Sequence, residues 1–397
     1  MMGNKIDFSF FDEIHDRRNT NAVKFDVLKS AKYGGDIIPM WIADMDFKTP
    51  PPVEKRLQEV AARGIFGYTV PGRGYFETLT NWYKKRMDWE FAAEQTVQTP
   101  GVMFGVSAAI NALTEKGDGI LIFQPVYYPF QKVVENNGRK CVVSRLRLED
   151  GVYRMDLAET ERLIAENGVK MLLLCSPHNP VGRVWEKEEL RELAALCLKH
   201  KVWLVADEIH SDFVYGGRRH TPLATLSAEI ADRTVTCTAP SKTFNLAGLQ
   251  VANMVITNAE ARRKIQKVCE AQCYHRLNTM AAEAAEAAYR YGEPWLNTLL
   301  LYLENNIKIL REALADTDLI KLVPPQGTYL LWLDCRKLGL DDKRLQKFFA
   351  DEAGLWLHSG CTFGAGGEGF VRMNIACPAQ TLRQAIDRLQ KALQNNF

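Results

Sequence analysis

VKMLLLCSPHNPVGRVWEKEELRELAALCLKHKVWLVADE, residues 169–208, decides the fold. Its two ends, VKMLLLCS (169–176) and VWLVADE (202–208), are apolar nearly throughout, without the in-and-out alternation of a half-solvated strand. That is how strands buried on both faces of a parallel sheet read. Between them, EKEELRELAALCLKH (186–200) places Leu190, Leu193, Ala194, Cys197 and Leu198 on one helical stripe. Strand, amphipathic helix, strand predicts a crossover unit of an α/β protein.

Working outward, GILIF (119–123), TVTCTAPS (234–241) and VANMVI (251–256) repeat the buried-strand reading. Beyond residue 290 the pattern changes to a long amphipathic helix (295–315), a strand GTYLLWLDC (327–335) and a helix (343–354). A strand-like LWLHSG (355–360), a glycine-rich turn, a strand GFVRMNIAC (369–377) and a last helix (379–393) complete it. The predicted organisation is an N-terminal segment (1–47) that joins a small C-terminal α+β domain (291–397). Between them lies a large α/β domain (48–290) with a mostly parallel central sheet. A length of 397 residues suits such a division.

Lys+Arg 50 against Asp+Glu 48 leaves a net charge of +2, so bulk charge points to neither nucleic acid nor an anionic membrane surface. No stretch approaches the ~18 apolar residues of a membrane span. The N-terminal MMGNKIDFSFFDEIHDRR turns charged before an apolar run of secretory-signal length has formed. Nine scattered cysteines read as reduced thiols, and the expectation is a cytoplasmic chain. Cys269, Cys273 and His275 have no second ligand pair after them, so no metal site is expected. Gly364-Ala-Gly-Gly-Glu-Gly369 precedes a strand instead of opening a helix, which argues for a turn over a dinucleotide loop.

In open α/β sheets, ligands sit beyond the carboxyl ends of the strands. Pro177-His178-Asn179-Pro180 follows the first quoted run, Asp207-Glu208-Ile209-His210 ends the second, and Ser241-Lys242 follows TVTCTAP. A lysine amine can form a Schiff base with an aldehyde. A carboxylate beside a pyridine nitrogen keeps it protonated, so that the ring draws electrons. An amide can donate to a ring hydroxyl. Thr99-Pro100-Gly101-Val102-Met103 opens a helix, and helix N-termini cradle phosphate. These properties together describe pyridoxal 5′-phosphate.

Ser241-Lys242-x-x-Asn245-x-Ala247-Gly248-Leu249, with Asn179-Pro-x-Gly, Asp207 and Arg372, resembles fold-type I pyridoxal-phosphate enzymes of the class I/II aminotransferase superfamily. Pro39-Met-Trp-Ile-Ala-Asp-Met-Asp-Phe47, Ser176-Pro-His-Asn-Pro180 and Asp207-Glu-Ile-His210 narrow the resemblance to its cystathionine β-lyase (C–S lyase) branch, of MalY/PatB type. The resemblance implies a fold-type I transferase architecture and an aldimine to Lys242. It also implies Asp207 on the pyridinium, Asn179 on the ring oxygen, and Tyr127 stacked on the ring. Ser241, His210 and the Val102 and Met103 amides would complete the cofactor contacts. Arg372 would clamp the substrate carboxylate, with Asn179, Tyr128 and the Ala43 backbone lining its pocket. Tyr68 would reach the cofactor phosphate of the neighbouring subunit, implying a homodimer with shared active sites.

The pattern departs at Gln250, where aminotransferases commonly carry a phosphate-binding arginine, at Ala239 in place of a serine, and at His210 in place of a tyrosine. The expected activity is β-elimination from L-cystathionine or a cysteine S-conjugate, through the Lys242 aldimine and a quinonoid, to pyruvate, ammonia and a thiol. The rivals are an aminotransferase on the same site and a regulatory binding protein with secondary catalysis.

Overall fold

The apolar runs become strands because each finds a hydrophobic core on both sides. In Val169–Cys175, Met171, Leu173 and Cys175 enter one buried cluster, and Leu172 and Leu174 enter another across the sheet. Gly119–Gln124 divides Ile120 and Ile122 from Leu121 and Phe123 in the same way. Each such side chain contributes about 1.5–3 kcal/mol on burial. A one-residue slip would exchange every contact between the two cores.

A computed structural model describes residues 7–27 and 36–397. Residues 1–6 and 28–35 of the predicted N-terminal segment lie outside the described residues. The large sheet holds β1 (Thr96–Thr99), β2 (Gly119–Gln124), β3 (Lys140–Arg145), β4 (Val169–Cys175), β5 (Trp203–Asp207), β6 (Thr234–Thr238) and β7 (Ala252–Ile256). Their spatial order is β1-β7-β6-β5-β4-β2-β3. β2 through β6 pair in parallel, while β7 runs antiparallel to both β6 and β1.

VANMVI was expected among the parallel strands, and its reversed direction is a correction. Only residues 239–251 separate β6 from β7. That link holds two short helical turns and serves an antiparallel return, whereas a parallel strand needs a longer crossover. Two strands escape the apolar reading. β1 is the polar TVQT, and β3 is an edge strand with exposed ends.

The second sheet is antiparallel throughout, ordered β8 (Lys321–Leu322), β9 (Leu330–Asp334), β11 (Phe370–Asn374) and β10 (His358–Ser359). Its first long strand starts at Leu330 and not at Gly327, because Thr328 takes a left-handed φ of 65°. The helix expected over 343–354 is a short α-helix, Asp342–Lys347, continued by a π turn, Phe348–Glu352. The glycine-rich run is a turn in which Gly360 meets Gly367. A Cβ at Gly360 would stand 2.1 Å from the Gly367 carbonyl oxygen, so the crossing admits no side chain there.

Two long helices, Glu293–Ala313 and Ala379–Asn396, pack against each other beside this sheet. The N-terminal segment lies on the first of them: Phe11 packs on Trp295 and Tyr302, and Asp12 accepts the Tyr302 hydroxyl at 2.6 Å. Ile38–Pro39 then pairs with Leu355–Trp356 in parallel. Among the described residues no helix is long and apolar enough to cross a membrane.

Candidate active site

The register of the parallel strands brings the chemistry together. Cys175, Asp207 and Cys237 stand side by side at the ends of β4, β5 and β6. The residues just beyond, Asn179, His210 and Lys242, therefore emerge on one edge of the sheet.

Lys242 sits on a single helical turn, Pro240–Thr243. Asp212 accepts from the Thr243 hydroxyl at 2.8 Å and is itself held by Arg86 Nε at 2.8 Å, which fixes that turn from below. Asn245, in the left-handed region at φ 57°, donates to the Met45 and Phe47 carbonyls at 3.1 and 2.8 Å. Asparagine tolerates that conformation better than most residues. The lysine loop is thereby stapled to the 39–47 segment. That segment is anchored in turn by Arg17 on Asp44 at 2.8 Å, Lys24 on Asp46 at 2.7 Å, and Asn374 on the Ile42 and Asp44 carbonyls.

The Lys242 amine donates to the Ala43 carbonyl, which also accepts the Tyr329 hydroxyl at 3.1 Å. Ala43 thus enters the site through its backbone. Burial brings the ammonium down to about 8, with the Arg372 charge acting in the same direction and Asp44 and Asp207 against it. An amine near 8 is available as a nucleophile and base at neutral pH.

Asp207 is buried, accepts the Ile209 amide at 3.1 Å, and pairs with no cation among the described residues. Burial raises its carboxyl to about 7. A buried carboxylate without a partner is costly, so this position suits a cationic ring. His210 is buried beside it, its ring 5.8 Å from that of Tyr329, and its Nδ1 has no partner among the described residues. Burial holds it at about 3, so it is neutral.

Asn179 and Arg372 meet directly: Arg372 Nη1 donates to Asn179 Oδ1 at 2.9 Å. Nη2 donates to the Trp41 carbonyl at 2.6 Å, and Nε has no partner among the described residues. Desolvation brings the buried guanidinium down to about 10, and no carboxylate of the described residues compensates it. Tyr127 is tied to Asn179 through its backbone amide at 3.0 Å, and burial keeps its phenol protonated by pushing it up to about 12. Tyr128 stands next to it, ring centroids 5.6 Å apart, and faces the His358 ring at 5.7 Å.

Ser241 is partly buried on the lysine turn. Val102 and Met103 open the helix Val102–Leu113, where the first amides have no intrahelical acceptor. Together with the helix dipole they form an anion cradle. Tyr68 is the residue that the chain does not bring in. It is 96% exposed, under the Arg276 guanidinium at 5.6 Å, beside exposed Ile65, Phe66 and Val70. His358, Tyr329 and Asp44 were not singled out from the sequence. Only strand register and the path of the 39–47 segment bring them here.

A site of this kind fits pyridoxal phosphate on its own donors: a buried carboxylate with no cation partner among the described residues, an amine near 8, an open helix N-terminus and a guanidinium whose acceptors are all neutral. The family model of aminotransferase class I and II matches residues 36–389. Cystathionine beta-lyase PatB of Bacillus subtilis is 41% identical over 387 residues, covering 96% of this chain and 99% of that protein. Protein MalY of Escherichia coli is 32% identical, covering 97% and 98%. The crystal structure of cystalysin from Treponema denticola, which contains a pyridoxal 5′-phosphate cofactor, superposes with a TM-score of 0.94. It is 36% identical and covers 97% of this chain and 98% of its own. The chain belongs to the aminotransferase class I and II family, on the branch of the PatB- and MalY-type cystathionine β-lyases.

Proposed function

We propose that the protein is a pyridoxal 5′-phosphate-dependent carbon–sulfur lyase acting on L-cystathionine or related cysteine S-conjugates. Lys242 carries the cofactor, Asp207 pairs with its ring nitrogen, and Asn179 Nδ2 donates to its ring oxygen. Tyr127 covers the ring face. Ser241, His210 and the Val102 and Met103 amides complete its setting. Tyr68 serves the phosphate of a partner subunit, and the exposed apolar run around it supports a homodimer with shared sites. Nine free cysteines and the absence of a spanning helix among the described residues support a cytoplasmic setting.

The bound cofactor supplies an electron sink for the pair left when Cα–H breaks. The chain's own residues do the rest. Arg372 holds the substrate α-carboxylate through its uncompensated charge and its open Nε–H, within a pocket edged by Tyr128 and the 41–43 backbone. The Lys242 amine, displaced by the substrate amine, remains in place to take the Cα proton. The Cβ–S bond then breaks with its electron pair leaving on sulfur, and the thiolate takes a proton from Lys242 or a neighbouring tyrosine. Addition of one water balances thioether against pyruvate, ammonia and thiol.

The observation that carries this reading is the Lys242 amine, in no ion pair among the described residues yet close enough to feel both Asp207 and Arg372. The test is to incubate the cofactor-loaded protein with L-cystathionine and no oxo-acid. Sustained, equimolar release of pyruvate and thiol is expected. A single conversion of the cofactor to its amine form without pyruvate would establish the aminotransferase activity instead.

Asp207 yields a pH test. Its carboxyl is raised from near 4 to about 7 in the folded chain. Between those values the cofactor-free folded state keeps a proton that the unfolded chain has released, so stability falls as pH climbs from about 4 to 7. Relative to Asp207→Asn, wild-type apoprotein is therefore expected to lose on the order of a few °C of Tm across that window. Taking the difference removes the opposite contribution of the buried histidines. Parallel melting curves would refute the unpaired carboxylate. Bound cofactor, supplying the cation, should abolish the difference.

A further inference from the structure

Arg372 lies in the middle of β11, where its position is set by what stands beside it. In the register of the second sheet, His358 on β10 is its direct partner on one side and Trp332 on β9 on the other. Directly opposed residues of antiparallel strands project to the same face, so the three side chains form one row. His358 Nδ1 lies 3.2 Å from Arg372 Nη2. The Phe363 ring closes the row, with its centroid 4.8 Å from the guanidinium carbon and 4.8 Å from the imidazole. Trp41 and Tyr128 pack their rings on His358 at 6.1 and 5.7 Å.

Every acceptor on the guanidinium is neutral: the Asn179 amide oxygen, the Trp41 carbonyl and the His358 imidazole. We infer that His358 is the positioning residue of the carboxylate clamp. Its uncharged ring takes the Nη2 hydrogen that the Trp41 carbonyl leaves and holds the guanidinium in plane, so that Nε and the uncompensated positive charge stay open to an incoming α-carboxylate. Burial and the adjacent Arg372 charge keep the imidazole at about 3, so it stays uncharged throughout the working range. With Nδ1 accepting, the ring proton sits on Nε2. A carboxylate at this position would occupy the clamp itself, and an apolar ring would let the guanidinium turn away. The inference rests on the reading of Arg372 as the substrate clamp.

The test uses the holoenzyme and two ligands with nothing to eliminate: L-alanine, which has a carboxylate, and ethylamine, which lacks one. Binding is followed by the cofactor absorbance, so the measurement does not depend on C–S cleavage. His358→Phe should weaken L-alanine by about tenfold and leave ethylamine within about twofold. His358→Gln, which restores a neutral acceptor, should recover most of the loss. His358→Asp should weaken L-alanine more than His358→Phe does, because a fixed carboxylate neutralises the guanidinium charge that the substrate needs.

Unchanged L-alanine binding in His358→Phe and His358→Asp would overturn the inference. So would an equal loss for both ligands, which reports a general disturbance. Arg372→Ala is the control on the premise. If it fails to erase the preference for L-alanine over ethylamine, the clamp reading fails, and the inference with it. If the preference is erased but His358 variants leave L-alanine binding unmoved, only the inference fails.

Discussion

Replacing Lys242 with alanine is expected to lower turnover of a thioether substrate by about 10³-fold or more, since in the proposed function one side chain both carries the cofactor and moves the Cα proton. The visible absorbance of lysine-bound cofactor should vanish with it, while folding is retained. The amine makes one hydrogen bond, to the Ala43 carbonyl, and among the described residues it forms no ion pair, so its removal breaks no salt bridge. Retention of both turnover and absorbance would refute the site. The same variant tests the proposed homodimer with shared sites. Lys242→Ala mixed with an impaired Tyr68→Phe should recover about a quarter of wild-type activity, because half the dimers are hybrids with one intact site each. No recovery after verified subunit exchange would return Tyr68 to a surface role.

The second large effect is at Arg372. Arg372→Ala removes a charge-assisted fork from a desolvated position, and a hydrogen bond to a charged group contributes about 1.5–3 kcal/mol. The loss of such a bond, with the uncompensated charge behind it, should raise KM for amino-acid thioethers by about 10- to 10²-fold, with kcat falling less. Arg372→Lys should rescue this only in part, since an ammonium cannot reproduce the planar fork. Unchanged KM and kcat in Arg372→Ala would exclude the clamp. The variant should fold, because the acceptors it leaves behind are amide oxygens and an imidazole rather than an orphaned carboxylate.

The corrections to the fold come from a single weakness of local patterning. VANMVI is apolar because both its faces are covered, and coverage is the same whichever way a strand runs. Direction is set by the short link that carries Lys242. TVQT at 96–99 and KCVVSR at 140–145 lack a continuous apolar signature, the first because its residues are polar and the second because an edge strand meets solvent. The 343–354 stretch keeps helical composition throughout, and the change to a π turn at Phe348 has no local signature.

By itself the sequence determined the alternation of buried strands and amphipathic helices, and hence an α/β sheet whose carboxyl edge carries the candidate site. It also determined that Asn179, Asp207 and Lys242 follow successive strands, because a strand's end is a local property and these residues stand next to one. What required the tertiary structure was every relation between distant segments. The Ala43 carbonyl under the lysine amine, the Asn179 oxygen on Arg372, and His358 across from Arg372 join positions 199, 193 and 14 residues apart. Such pairs depend on strand register and loop path, which are settled by packing summed over the whole chain. Burial decided the protonation states as well. Asp207 near 7 and Lys242 near 8 owe their values first to lost water, and that exclusion exists only once the two sheets and the 39–47 segment have closed around them.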